Sequence, residues 1–429
     1  MASPPLIDVD LRHAIGALSD ALDLVGVDDV GHGKRVGIMA ACCGQALGLA
    51  PPEVERLFDL GLLHDIGVSS TRTHTHLVAE FDWEGSHAHC AAGCERVRDF
   101  APLADLAVPI LYHHTHWDIL STTPGVTPDE AQQANLIYLV DRVDALAAPG
   151  LAAGEILMHA GAIRQAVTER RGRHFSPALV TAFLDASACE AFWLQLEARG
   201  VARILQDRHA RQHTGAASPD ELRQLAMLFS RIVDAKSPFT AQHSQGVARL
   251  ARLLAERMDL PHARCDTLEI AALLHDLGKL RVPDEILEKP GPLDERERTL
   301  INAHSFETYQ ILRSICGFGE IAHWAACHHE EPDGSGYPFH LKDAALPLEA
   351  RILRVADIFQ AMAQDRPYRA GLGATAILDF LQTLARQGHV DAAIVAVVAL
   401  DVDAAMGAAR PAPETPAAGQ PLAVDGPGA

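Results

Sequence analysis

The residues in this chain that could do chemistry are histidines and aspartates that recur in a fixed order. There are 23 histidines against 5 tyrosines. His32 and His243 lie 211 positions apart, as do His64-Asp65 and His275-Asp276. His89 and His304 lie 215 apart, His113-His114 and His328-His329 again 215, and Asp141 and Asp357 lie 216 apart. Neighbouring text agrees, since GLLHDIG matches ALLHDLG and HFSPALV matches HVDAAIV. A sustained period of this kind marks an internal repeat. Imidazole and carboxylate donors suit iron, manganese or zinc. An aspartate next to a histidine can bridge two ions while the histidine holds one. Two ions about 3.5–4 Å apart activate a water and stabilise an in-line phosphoryl displacement. One such histidine alone is ordinarily a core or surface residue, but the whole ordered set, present twice, points to metal.

The elements that must position these residues read as helices. Ser218-Pro219-Asp220-Glu221 carries an N-cap, a proline at the first helical position and a capping-box glutamate, and Thr127-Pro128-Asp129-Glu130 repeats the signal. His243 precedes Val247 and Leu250 by four and seven, so it shares their inner stripe. His275 follows Leu268 and Ala271, and His328 follows Ile321 and Trp324, at the same spacings. Asp357 lies four beyond Leu353. These donors therefore aim at one interior. A buried polar group without a partner costs about 1–3 kcal/mol, against about 5–15 kcal/mol for a whole domain, so something must satisfy the cluster. No set of alternating strands is legible. The expected fold is all-α, with two tandem helical domains: 1–200, a linker at 201–218, a second domain at 219–405, and a disordered Ala/Pro/Gly-rich tail at 406–429.

Composition bounds the function. The chain has 429 residues, 48% hydrophobic and 21% charged, which is globular. Its formal charge of −20 disfavours duplex nucleic acid and anionic membrane as partners. The first ten residues, MASPPLIDVD, lack the basic and apolar regions of a secretory signal. The longest apolar runs fall short of a membrane span, so a cytoplasmic protein without membrane insertion is expected. The eight cysteines form no CxxC pair and read as reduced thiols.

The order His, His-Asp, His, His-His, Asp resembles that of the HD-domain metal-dependent phosphohydrolases. The second copy resembles their HD-GYP family over about residues 218–400. His328-His329-Glu330-Glu331-Pro332-Asp333-Gly334-Ser335-Gly336-Tyr337-Pro338 matches its HHExxDGxGYP signature. His275-Asp276-Leu277-Gly278-Lys279 matches HDxGK, and Asp365-Arg366-Pro367-Tyr368-Arg369 matches DRPYR. The resemblance implies a bacterial all-helical phosphodiesterase of cyclic dinucleotides, cyclic di-GMP first, with a binuclear iron or manganese centre and a metal-bridging hydroxide as nucleophile. It implies His243, His275, Asp276, His304, His328, His329 and Asp357 as metal ligands, with Asp276 bridging. Lys279 would hold a phosphate oxygen or help protonate the leaving group, and Tyr337, Arg366 and Arg369 would bind the nucleotide. Such local cations suit an anionic ligand meeting an acidic protein. Phe239 stands where trinuclear relatives carry a glutamate, so two metals are expected rather than three. Ser305, Thr308 and Gln360 also depart from the family's common residues, without removing a ligand.

The first copy keeps His32, His64, Asp65, His89, His113, His114 and Asp141, a candidate second metal site. It loses the phosphate clamp: Lys279 corresponds to Val68, and Arg366 and Arg369 to Gly150 and Ala153. Ile119-Leu120-Ser121-Thr122-Thr123 stands in place of the GSGYP loop, while Asp118 keeps the position of Asp333. Asp28, four before His32, reads first as a solvated acidic turn. His74, His76, His87 and His116 read as loop residues. The first domain is expected to bind metal without hydrolysing the same dinucleotide; it could sense a ligand, act on another phosphate or serve as a scaffold. Two other functions stay open for the chain: a phosphohydrolase of another nucleotide or phosphate ester, and a slow or inactive cyclic di-GMP receptor. Regulatory protein partners or a homodimer are compatible with either.

Overall fold

The computed structural model describes residues 9–25, 31–79, 84–211, 216–237, 242–365 and 370–410. Among these, helices account for all regular structure apart from two isolated bridges, Asp10 with Ala216 and Arg171 with Phe175. The capping boxes form as the sequence predicts. Glu221 accepts from the Ser218 backbone N–H at 2.8 Å, and Ser218 Oγ accepts from the Glu221 N–H at 3.2 Å. Thr127 with Glu130 and Asp294 with Glu297 do the same.

Five helices of each copy correspond. His32–Ala46, Pro51–Leu63, His87–Val97, Ala107–Tyr112 and Pro128–Ala153 answer to His243–Arg257, His262–Leu274, Glu295–Leu312, Gly319–Ala326 and Leu348–Ala363. In both copies the first two helices pack on each other and the long last helix crosses the first. The expected inner stripes are buried, with Val247, Leu250, Leu254, Leu268, Ala271, Ile321, Trp324 and Leu353 all in the core. The helix read through His328 ends at Ala326, and Cys327–His329 tightens to a 3-10 turn. Gly67 and Gly278 explain how the copies close. A Cβ at Gly67 would lie 1.8 Å from the His89 carbonyl oxygen, and one at Gly278 would lie 2.2 Å from that of His304. Only glycine after His-Asp lets the next ligand-bearing helix approach so closely.

The two copies share one continuous hydrophobic cluster, from Val9 to Ala409. Ala217 N–H donates to Val9 C=O at 2.7 Å, and the helix Leu11–Leu18 packs on Pro219–Asp234 and Glu295–Leu312. A polar lock joins them as well. Asp284 accepts from Ser70 Oγ at 2.7 Å, from the Thr71 and Arg72 N–H groups, and from the buried Lys236 ammonium at 3.1 Å.

Two boundaries differ from the sequence reading. Residues 201–211, expected to open a linker, continue the helix Ala198–Arg211. Val201 is buried, and Arg208 pairs with Glu55 at 2.8 Å and stacks 3.7 Å over Phe58, so apolar and charged contacts hold this polar segment on the first domain. Met406–Ala409, expected in the tail, belong to the helix Val402–Ala409. Met406 and Ala409 are buried, and Arg249 Nε donates to Ala408 C=O at 3.0 Å. The remaining tail positions from 411 lie outside the described residues. No single helix among those described is long and apolar enough to cross a membrane.

Candidate metal centres

In the C-terminal copy five elements bring the expected donors together: the start of His243–Arg257, the end of His262–Leu274, the middle of Glu295–Leu312, the 3-10 turn at Cys327–His329 and the middle of Leu348–Ala363. Backbone carbonyls fix the ring orientations. His275 Nδ1 donates to Ala272 C=O at 2.7 Å, His304 Nδ1 to Ile301 C=O at 2.6 Å and His328 Nδ1 to Ala325 C=O at 2.6 Å. Each Nε2 lone pair is then left for the interior. Asp276 divides its oxygens between two groups of rings. Oδ2 lies 3.3 Å from His275 Nε2 and 3.6 Å from His243 Nε2, while Oδ1 lies 3.4 Å from His304 Nε2 and 3.7 Å from His328 Nε2. His243 Nε2 is also 3.3 Å from Asp357 Oδ1. His329 lies beside His304 and His328.

The donor set fits a pair of divalent ions. His243 Nε2, His275 Nε2 and Asp276 Oδ1 are buried and make no hydrogen bond, a costly state that coordination relieves. Burial opposes ionisation of Asp276, but the charges of His275 and Lys279 hold its carboxyl well below the usual range. Burial and neighbouring imidazolium charge push His328 and His329 well below the ordinary histidine value, so they present neutral rings. Around this core, Lys279 Nζ lies 2.5 Å from Asp276 Oδ2 with its side chain 25% exposed. Tyr337 stacks on His329 with centroids 4.8 Å apart. Glu330 shapes the loop by accepting from the N–H groups of Phe339, His340 and Leu341. A Cβ at Gly336 would lie 2.4 Å from the His329 carbonyl oxygen, so that glycine serves loop closure. Arg366, Arg369 and Phe239 lie outside the described residues.

The N-terminal copy repeats the arrangement. Asp65 Oδ2 lies 3.5 Å from His64 Nε2 and 3.8 Å from His32 Nε2, and Oδ1 lies 3.3 Å from His89 Nε2 and 3.7 Å from His113 Nε2. Asp141 Oδ1 is 3.5 Å from His32 Nε2, and His114 Nε2 is 3.9 Å from Asp141 Oδ2. What surrounds the donors differs. Arg142 Nη2 donates to Asp141 Oδ2 at 2.9 Å, and its Nη1 donates to Leu77 C=O at 3.1 Å. This pins the helix Thr71–Ala79 over the centre. His74, read from sequence as a loop residue, lies on that helix and with Leu77 lines the space beside the ligands. Its helix was missed because TRTHTHLVA has no apolar stripe. His76 shares it, His87 opens the next helix and His116 precedes the short helix Trp117–Leu120, while Asp28 lies outside the described residues. The two cavities at the centre measure about 20 and 10 Å³. A water needs roughly 10–15 Å³, whereas sites for drug-sized ligands run to about 300 Å³ or more.

Sequence reasoning missed Asp144 and, having noted Gln360 only as a departure from the family, missed that the two orient the first ligand of each copy. His32 Nδ1 donates to Asp144 Oδ2 at 2.8 Å, and Arg35 Nε donates to Asp144 Oδ1 at 2.6 Å. His243 Nδ1 donates to Gln360 Oε1 at 2.5 Å. Asp144 and Gln360 are 216 apart, the same offset as Asp141 and Asp357, so the signal was present. Such partners fix the tautomer and tune the basicity of a ligand.

Comparison with known proteins follows the same division. Models of the HD domain match residues 30–148 and 227–394. The 3'3'-cGAMP-specific phosphodiesterase 1 of Vibrio cholerae serotype O1 is 36% identical over 402 residues, 91% of each chain. The cyclic di-GMP phosphodiesterase response regulator RpfG of Xanthomonas campestris pv. campestris is 37% identical over 161 residues, 37% of this chain and 43% of its own. The crystal structure of the cyclic GMP-AMP-specific phosphodiesterase V-cGAP3 of V. cholerae matches with a TM-score of 0.61 and 26% identity, covering 93% of this chain and 98% of that one.

Proposed function

The chain belongs to the HD-GYP family of cyclic-dinucleotide phosphodiesterases, and from that premise we propose that its C-terminal domain hydrolyses 3'3'-cGAMP at the centre built around Asp276. The observation that carries the choice of substrate is coverage. The relative that acts on 3'3'-cGAMP shares both domains, 91% of each chain, whereas the cyclic di-GMP phosphodiesterase of X. campestris shares 37% of this chain. Cyclic di-GMP, favoured by the sequence motifs, is the second reading.

We assign His243, His275, Asp276, His304, His328, His329 and Asp357 as ligands of a binuclear centre, with iron or manganese the expected metals. When bound, a divalent pair would supply an activated water and neutralise charge on the phosphodiester. The chain's own residues do the rest. Asp276, ionised and with an oxygen on each side, holds the two halves of the centre at fixed spacing. Lys279 stands at the exposed edge, where its ammonium can pair with a non-bridging phosphate oxygen and give a proton to the departing ribose oxygen. Burial, then the charges of Asp276 and Asp357, push the Tyr337 hydroxyl above its ordinary value, so it stays protonated as a donor. Arg366 and Arg369 supply further cations for the dinucleotide. Addition of one water breaks one P–O ester bond and leaves a linear dinucleotide with a terminal phosphate. For the N-terminal domain we infer metal binding without turnover. Its donors are complete, but its closed cavities admit no dinucleotide and Val68 replaces the lysine.

Chromatography of 3'3'-cGAMP and cyclic di-GMP incubated separately and in competition, with manganese- or iron-loaded protein and an Asp276→Ala control, tests the proposal. Faster loss of 3'3'-cGAMP to a linear product, absent from the control, is expected. Faster loss of cyclic di-GMP would transfer the assignment to the second reading. No turnover with both centres metal-loaded would overturn it in favour of another phosphate ester or a receptor.

A further inference from the structure

The helix that brings His89 to the N-terminal centre places Cys90 there too. Cys90 is fully buried, and its Sγ lies 3.7 Å from His89 Nε2. The corresponding residue of the C-terminal copy is Ser305, whose Oγ lies 3.4 Å from His304 Nε2. The copies thus present the same position to the same side of their centres, one with sulfur and one with a hydroxyl. Thiolate is a strong ligand for zinc, whereas a neutral serine hydroxyl is a weak one.

Four of the six donor separations around Cys90 fit a single tetrahedral ion. His89 Nε2 and His113 Nε2 are 3.3 Å apart, and Asp65 Oδ1 lies 3.3 Å from the first and 3.7 Å from the second. With Cys90 Sγ at 3.7 Å from His89 Nε2, every one of these separations falls on the edge length of a tetrahedron. Bonds of about 2.0–2.3 Å to nitrogen, oxygen and sulfur give edges of roughly 3.3–3.7 Å. A second observation points to a ligand independently of the cysteine. His113 is fully buried, its Nδ1 donates to Ile110 C=O at 2.6 Å, and its Nε2 is thereby aimed into this cluster. Asp65 Oδ1, facing it, is buried and makes no hydrogen bond. Four protein donors would fill a tetrahedral coordination shell, as in structural zinc sites, whereas catalytic ones keep one position for water.

We propose that Cys90 is a thiolate ligand of the N-terminal centre, so that one chain holds two chemically different metal sites: a His₂Asp-Cys site of zinc type at Asp65, His89, Cys90 and His113, and the His/Asp centre of the C-terminal domain. Metal binding releases the Cys90 thiol proton to solvent as the sulfur–metal bond forms. The proposal rests on the reading that the N-terminal domain binds metal.

Cobalt-substituted full-length protein tests it, because a thiolate ligand gives cobalt a near-ultraviolet charge-transfer absorption that imidazole and carboxylate do not. The wild type should show this band, Cys90→Ser should lose it, and Cys94→Ser, on the same helix, should keep it. Ser305→Cys should add a second band. A band unchanged in Cys90→Ser, or no band while elemental analysis shows cobalt beyond what the C-terminal centre takes, would overturn the thiolate ligand. If Asp65→Ala leaves total bound metal unchanged, the underlying reading of a metal-binding N-terminal domain fails instead. Should Cys90→Ser not fold, X-ray absorption of the zinc-loaded wild type decides, with a sulfur neighbour at about 2.3 Å expected and a shell of nitrogen and oxygen alone excluding it.

Discussion

In the N-terminal half Asp141 shares a carboxylate oxygen with Arg142 at 2.9 Å, and Val68 stands one turn beyond His64-Asp65. In the C-terminal half Ile358 takes the place of Arg142, no arginine among the described residues pairs with Asp357, and Lys279 takes the place of Val68. The same order of donors thus has a pinned helix beside it in one copy and the Lys279 ammonium beside it in the other. If the roles proposed above hold, a ligand set by itself is not enough for an active site. Val68 stands where the second copy has Lys279, while every proposed ligand has its counterpart. On the reading proposed above, the arginine and the helix held by its second hydrogen bond are what separate a site for an ion from one for chemistry.

The sharpest way to break that comparison is to remove the bridging carboxylate from each half in turn. Asp276→Asn should lower turnover of the preferred dinucleotide on the order of a thousandfold, about 4 kcal/mol of transition-state stabilisation. Asp65→Asn should leave turnover within about twofold while total bound metal falls. Initial rates and elemental analysis of the two variants side by side check this. An equal loss of rate in Asp65→Asn would show that the N-terminal centre takes part in the reaction and would end the division of roles between the halves.

A second experiment tests whether the halves act as one body. Asp284 lies in the segment that follows His275-Asp276, and Ser70 in the segment that follows His64-Asp65; the two meet at 2.7 Å. Lys236, with its side chain 1% exposed, depends on Asp284 for its counter-charge. Asp284→Ala removes three kinds of hydrogen bond and leaves that ammonium buried without a counter-charge, only the Ser69 carbonyl remaining as its acceptor, which costs about 3 kcal/mol or more. Denaturant unfolding should show a lower midpoint and a separation into two transitions, one per domain. A single transition at the wild-type midpoint would mean that the contacts outside the Asp284 cluster suffice to unite the domains.

The donors themselves were legible in the sequence because their spacing repeats and because each lies on an apolar stripe. His243 with Val247 and Leu250 is the plainest example, and the capping box at Ser218 marks where that domain begins. What was not legible depended on contacts between distant segments. Arg142 reads as one more charge on a helix until Leu77 is seen above it. Cys90 reads as a small apolar residue of the kind usual in cores until the His113 ring is placed beside it. The helix Ala198–Arg211 looked like a linker because its polar residues are satisfied by Glu55 and Phe58, some 150 positions earlier. The end of the second domain was misplaced for a similar reason, since alanines of low complexity pack when Arg249 and Gly246 offer a surface for them.

The smallest expected effect sharpens the comparison most finely, at the group that orients the first histidine. Asp144 gives His32 a carboxylate acceptor, already balanced by Arg35, while Gln360 gives His243 a neutral amide. A carboxylate partner strengthens the bond to the imidazole N–H and raises the donor strength of the opposite nitrogen. Gln360→Glu has nearly the same shape and would lend the C-terminal centre the N-terminal arrangement. With divalent metal bound, the added charge is compensated through the ring. Affinity of that centre for manganese should then rise by about tenfold, near 1.4 kcal/mol, measured by competition with a chelator. In metal-free protein the same substitution buries a carboxylate at a position 3% exposed, with no arginine like Arg35 beside it among the described residues, so thermal stability should fall before metal is added and recover on loading. Unchanged affinity together with unchanged metal-free stability would show that the orienting group is electrostatically silent, and that the two halves differ only in what covers them.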